Sequence, residues 1–264
     1  MTLESVQWRS RLFLLQNLVL KDFRIRYRNM SLGMAWSVVN PLVMMGILTF
    51  VFTKVFPNPQ PHFAVFVLCA LVPFNFYSLA LNAGTTSLLE NESLIKRVRC
   101  PREIFPIAAV LANCLHFLIQ IGLLITFVLV AGFSISLHWL WLPLLWGMEI
   151  AFMCGLALIT SGLDVYYRDV RYLVEVSGLV LFWLVPIFYS FQMVPARYHA
   201  VYLMNPIACV VLAEREVLMG GTAPSMGFVT ALALVSGTCL ALGFVIFGRL
   251  KQNVADYLLN YDVR

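Results

Sequence analysis

The sequence predicts an all-α integral membrane fold, and three observations carry that prediction. The 264 residues are 61% hydrophobic and only 12% charged, whereas a soluble domain is about 45–50% apolar and about 25% charged. The apolar residues are clumped into nearly charge-free runs, and ~20 such residues cross the ~30 Å hydrocarbon core as a helix. The basic residues behind the net charge of +5 lie beside these runs, where flanking charge orients a chain in a bilayer. Six spans of ~20 residues use about half the chain. One transmembrane domain over 1–264 is therefore expected, with no separate catalytic domain.

Residues 6–28 show helical periodicity without the apolarity of a span. Trp8, Leu12, Leu15, Val19 and Phe23 recur at spacings of three and four, and Ser10, Asn17, Lys21, Arg24 and Arg28 share another face. Such a helix either lies in the membrane interface, its cations near headgroups, or packs on its own protein. Gly33 breaks the pattern, and the first span follows over 35–56, ending at Pro57, Pro59 and Pro61. The second covers 63–89, with a kink expected at Pro73. A polar stretch leads to the third span, 105–133, and a tight turn to the fourth, 139–163. The fifth is read over 173–192, interrupted by Pro186, and the sixth over 228–247. Between them, 193–221 is cut by Pro195, Arg197, Asn205-Pro206 and Glu214-Arg215-Glu216 into pieces too short to cross.

Six spans with both termini inside place fifteen of the 18 Lys and Arg residues on the inner side, leaving Lys54, Arg197 and Arg215 outside. A seventh span in 193–218 reverses the C-terminal charges, against the positive-inside rule. The segment is therefore read as outer re-entrant half-helices, which need protein or a watery cavity to satisfy their interrupted backbone. Polar residues run through the first segment, so no cleavable signal peptide is expected and the first span serves as the insertion signal. Four of the six cysteines, Cys69, Cys114, Cys154 and Cys239, fall inside apolar runs and none forms a CxxC pair, so they read as small core residues.

Motifs for catalysis are missing from the sequence. There is no GxxxxGK[ST], HExxH or GxSxG, and no paired carboxylates on one intramembrane helix. The chain is read as a non-enzyme without cofactor or metal of its own, and the location of its basic residues argues against nucleic acid. Two ionisable residues inside spans are functional candidates because burial there is costly. Glu149 lies ~21 Å and His116 ~17 Å from the inner ends of their spans, close enough in depth for a contact. That pair is either an interhelical hydrogen bond or part of a proton relay. Aromatics cluster at Trp139, Trp141 and Trp146 and at Phe188, Tyr189 and Phe191, as an interface belt or as a lining that stacks on sugar rings. On the inner side, Leu94, Ile95 and Val98 stand among charges between Glu90 and Arg99, a pattern for a short helix docking into a soluble partner. The loop Tyr166 to Tyr172 repeats the mixture. Both loops are equally readable as plain positive-inside anchors.

These residues are familiar as an ordered set. Asp22-Phe23-Arg24-Ile25-Arg26-Tyr27-Arg28-Asn29, Ser31-Leu32-Gly33, Trp36 and Asn40-Pro41-Leu42, then Tyr167-Arg168-Asp169-Val170-Arg171, then Asn205-Pro206 with Glu214-Arg215-Glu216 resemble ABC-2 type permeases that export lipid-linked polysaccharides, in the O-antigen and teichoic-acid branch. The resemblance implies a homodimer with two copies of a separate ATPase subunit, which binds ATP and Mg. It implies a coupling helix at about Ser93, Leu94, Ile95, Lys96, Arg97, Val98 and Arg99, a second contact at Tyr167, Arg168, Asp169 and Arg171, and an outer gate around Asn205, Pro206, Glu214, Arg215 and Glu216. The conduit is expected between protomers, chiefly from the first and fifth spans, with Arg24, Arg26 and Arg28 attracting the pyrophosphate of the lipid carrier. A secondary transporter or channel, which needs internal repeats and paired intramembrane charges, and a membrane transferase using Asp164 or Asp169 are the competing readings.

Overall fold

Ten α-helices follow one another in the computed structural model, which describes residues 3–28, 33–56, 60–97 and 100–259 and shows no strand among them. They are α1 (Leu3–Tyr27), α2 (Trp36–Phe50), α3 (Phe63–Glu90), α4 (Glu92–Arg97), α5 (Ile104–Val130), α6 (Leu142–Tyr166), α7 (Asp169–Leu184), α8 (His199–Leu203), α9 (Pro206–Leu218) and α10 (Met226–Leu259). Among the described residues, five helical stretches are long and apolar enough to cross a membrane: Gly33–Val55, Phe63–Glu90, Ile104–Val130, Leu137–Tyr166 and Met226–Lys251.

α3 is the axis of the bundle. It is apolar on every side, so it is enclosed rather than lipid-facing, and α2, α5, α6, α7 and α9 all pack on it. Pro73 lies within it without ending it. In hydrocarbon, packing and small residues hold helices together rather than water exclusion. The pair α6 and α10 uses this most: Gly155 and Gly243 bring the two backbones so close that a Cβ on Gly155 would stand 2.6 Å from the Cys239 carbonyl. Between α3 and α6, the Thr85 hydroxyl donates to Thr160 Oγ1 at 2.8 Å.

The fifth predicted span takes a different form. α7 has 16 residues, or ~24 Å, and stops at Leu184 because Val185 precedes Pro186 and is extended, ψ 136°. The chain then runs irregularly, with two short 3₁₀ turns and α8, to Asn205. The Asn205 carboxamide oxygen caps α9 by accepting from the Ile207 and Ala208 amides, and Pro206 sits in the first turn, where its missing N–H costs nothing. The start of α9 shares a cavity with Tyr77, Phe152 and Leu156, half-way along α3 and α6, whereas Arg215 near its end reaches Phe66 in the first turn of α3. The last helix runs well past 247, to Leu259.

The helix ends around α1 and α4 are tied by polar contacts. Lys21 Nζ on α1 donates to Asn91 Oδ1 after α3 at 2.5 Å, Tyr166 Oη on α6 to the Leu250 carbonyl at 3.0 Å, and Lys251 on α10 pairs with Glu103 at 3.6 Å.

Candidate functional site

Candidate side chains gather at the end of the bundle that carries α1 and α4, along the exposed faces of α2 and α7, and under α9. There α1 packs Leu14, Leu15, Leu18 and Val19 onto a small core with Leu88, Phe105, Leu158 and Phe247. The buried line thus centres on Leu18, and Leu12 of the expected apolar stripe is exposed together with Phe13, Leu20 and Ile25. Successive residues of a helix turn by 100°, so Lys21, Arg24 and Arg28 share a face that Arg26 does not. The three arginines therefore do not converge. Arg24 and Arg28 join Lys21, Asn17, Leu20, Phe23, Ile25 and Met34 around a cavity of about 680 Å³ that contains no acid. Arg26 faces another, of about 710 Å³, between α1, α3, α5 and α7, where Asp22, Glu90 and Glu175 balance Lys21, Arg26 and Arg171.

The two loops expected on the inner side divide their residues between the chain's own core and the surface. α4 turns Leu94 and Ile95 onto the core under α1, so this apolar pair is already occupied. Glu92 and Lys96 pair at 2.8 Å, and Ser93 and Arg97, one turn apart, are the exposed positions. Val98 and Arg99 lie outside the described residues. After α6, Tyr167, Arg168 and Asp169 are exposed. Arg171 instead turns inward and grips the fully buried Asp164, Nη2 to Oδ2 at 3.0 Å and Nε to Oδ1 at 3.3 Å. This clip closes the turn from α6 to α7 and engages Asp164, one of the two acids of the transferase reading, whereas Asp169 is exposed. Beside α4, Cys100 is half-buried, and burial pushes its thiol above the ordinary range, with Arg102 pulling the other way.

The sequence pattern of the ABC-2 type transporter family matches residues 14–219, from α1 to the end of α9. The chain belongs to that family. It is similar to the O-antigen export system permease protein RfbA of Klebsiella pneumoniae, 30% identical over 239 residues that cover 90% of this chain and 92% of that one. The RfbA of Myxococcus xanthus is 23% identical over 92% of this chain and 94% of its own length. The polysialic acid transport protein KpsM of Escherichia coli is 26% identical over 87% and 90%. Together with the apolar helices, this makes the chain an integral membrane permease.

Two features of this ABC-2 chain escaped the sequence reading. On α2, Trp36, Asn40, Val43, Ile47 and Phe50 are exposed at alternating steps of four and three. On α7, Tyr172, Leu173, Val176, Leu179, Val180, Trp183 and Leu184 do the same. These residues form one uncovered, mostly apolar face on each helix, and the spacing was readable before the structure. Second, the aromatics singled out by sequence mostly serve packing. Phe188 is buried and stacks on Phe52 at 4.9 Å, Trp146 meets Phe117 edge-on, and Tyr189 bonds Tyr202 and the Leu184 carbonyl.

The His116–Glu149 hydrogen bond is absent. His116 Nε2 lies 2.9 Å from Gln120 Nε2, and Gln120 donates on to the Ser37 carbonyl, tying α5 to α2. Glu149 is fully buried with neither oxygen hydrogen-bonded, and its charged neighbour is Glu214 of α9, not His116. Trp146, one turn before Glu149, sets its indole against Glu214 without a hydrogen bond of normal geometry. Depth along a span predicted the contact but could not give azimuth. Of the outer residues, Glu214 and Arg215 are buried, whereas Glu216 is half-buried and accepts from the Ser225 amide.

Proposed function

We propose that the chain is the transmembrane subunit of an ATP-driven exporter that moves a lipid-linked polysaccharide of the O-antigen kind across the cytoplasmic membrane. The observation that carries the substrate side is the acid-free cavity of α1. Arg24 and Arg28 stand beside Leu20, Phe23, Ile25 and Met34, with Lys21, itself paired to Asp22 at 3.1 Å, next to them, a pairing of charge and apolar surface suited to a pyrophosphate on an isoprenoid chain. α1 lies along the inner interface, with Phe13, Leu20 and Ile25 toward lipid. The permeases of O-antigen and polysialic acid transport to which the chain is similar support a glycan as cargo.

The chain works as a homodimer whose α2 and α7 stripes face each other and frame the conduit, with Trp36, Phe50, Tyr172 and Trp183 supplying exposed aromatic surface. α7 with 185–190 completes a sixth crossing, which keeps both termini cytoplasmic, and α8 with α9 forms the re-entrant outer gate. A separate ATPase subunit, binding ATP and Mg, docks on Ser93, Arg97 and the Tyr167 to Asp169 turn. Arg24→Gln/Arg28→Gln in the complex with that ATPase is expected to cut export of the native polymer at least about tenfold, the cost of one charge-assisted hydrogen bond, without loss of assembly. Arg26→Gln is expected to cost less. Unchanged export by the double variant would place headgroup capture elsewhere.

A further inference from the structure

Arg215 is buried near the end of α9 and makes four hydrogen bonds, all to main-chain carbonyls. Nε and Nη2 donate to Phe66 O at 3.1 and 2.8 Å, Nη1 to Pro186 O at 2.6 Å, and Nη2 also to Ile187 O at 2.8 Å. The guanidinium carbon stands 3.4 Å from the centroid of the Phe66 ring. A guanidinium has five N–H donors in a fixed fork, so most of its capacity is spent on three carbonyls from two other segments.

Those carbonyls have a reason to need it. Pro186 and Ile187 belong to the break after α7, where the helical ladder has stopped, and Val185, Ile187 and Phe188 around them are buried. Broken backbone at such depth is tolerated only when protein supplies partners. The third acceptor, Phe66, sits in the first turn of α3. One cation therefore ties the top of α7 and the end of α9 to the central helix. A lysine, a point charge without the planar fork, cannot reproduce that set.

We infer that Arg215 is the positioning residue of the outer segment, the clasp that makes the upper end of α7 and α9 one unit seated on α3. While it is closed, the exposed α7 face cannot shift relative to α9, and opening the outer side requires its release. This consequence for export rests on the conduit reading above, whereas the clasp itself does not.

Cys69 reports on it directly. It lies on α3 one turn beyond Phe66, is fully buried, and has Glu214 and Arg215 as its charged neighbours. In the full-length chain with Cys69 as sole cysteine, N-ethylmaleimide labelling is expected to be slow. Arg215→Gln is expected to raise the rate at least about tenfold, since loss of a single hydrogen bond to a charged group already shifts an opening equilibrium by that factor. Arg215→Lys is expected to raise it too, despite keeping the charge. A sole-cysteine chain with Cys154, on α6, is expected to label at an unchanged rate in both variants. Wild-type labelling of Cys69 in the variants, or equal acceleration at Cys69 and Cys154, overturns the inference; if Arg215→Gln does not fold, Arg215→Lys decides alone. Faster Cys69 labelling with normal export by Arg215→Lys would keep the clasp and remove its role in export.

Discussion

Replacing Gly155 by alanine tests the α6–α10 contact, which has no room for a methyl group. A Cβ there would stand 2.6 Å from the Cys239 carbonyl carbon and oxygen and from the Leu240 nitrogen, against 3.4 Å for ordinary contact. All three are backbone atoms, so no rotamer change relieves the clash and α10 has to move away by about 0.8 Å along the contact. Overpacking of this kind costs about 1–3 kcal/mol, and a rigid backbone obstacle argues for the upper end. Alanine returns ~1 kcal/mol of helix propensity, leaving a net loss of ~2 kcal/mol, which lowers the melting temperature by roughly 4–8 °C in a chain of this size. The assay is thermal unfolding of purified Gly155→Ala followed by a thiol-reactive dye. Gly147→Ala is the control, because nothing lies within 4 Å of a Cβ there, on the same helix α6, and it is expected to be neutral or stabilising. A Gly155→Ala protein as stable as the wild type would refute the close backbone crossing.

Three other outcomes follow from the inner face. Asp164 is fully buried with Arg171 as its partner, so Arg171→Ala is expected to cost about 2–4 kcal/mol by leaving an unpaired carboxylate, and adding Asp164→Asn should restore part of it in a double-mutant cycle. Arg97→Glu, at an exposed position, is expected to weaken co-purification with the ATPase subunit while sparing the chain's own stability, whereas Ile95→Asp, aimed into the core, should lower that stability; similar effects of both on stability would contradict the division of α4. Cys100 should label with an impermeant maleimide from the cytoplasmic side only. Because its thiol is raised and the thiolate is the reactive form, the rate should still be climbing at pH values where a free thiol, near 8.5, has levelled off; an equal pH profile would count against burial of that loop.

Much of the architecture was legible because the bilayer reads length and apolarity directly. The stretches 35–56, 63–89, 105–133 and 139–163 match the helices that formed, and Pro186 announced the break after α7. What one dimension lacks is azimuth. The depths of His116 and Glu149 agreed, yet Glu149 turned toward Glu214 and His116 toward Gln120. Leu94 and Ile95 carried the signature of a docking helix, but the same signature fits a helix docked on its own bundle.

By itself the sequence determined that this protein lives in a membrane, which segments are long and apolar enough to cross it, and where its cations lie along the chain. Tertiary structure decided which of those cations act together. Lys21, Arg24 and Arg28 share one cavity and Arg26 another, Arg171 closes an internal clip, and Arg215 holds the backbone of the break after α7. The physical reason is that hydropathy depends on composition along the chain, whereas pairing depends on how helices are rotated about their axes, and packing sets that rotation only once all of them are in place.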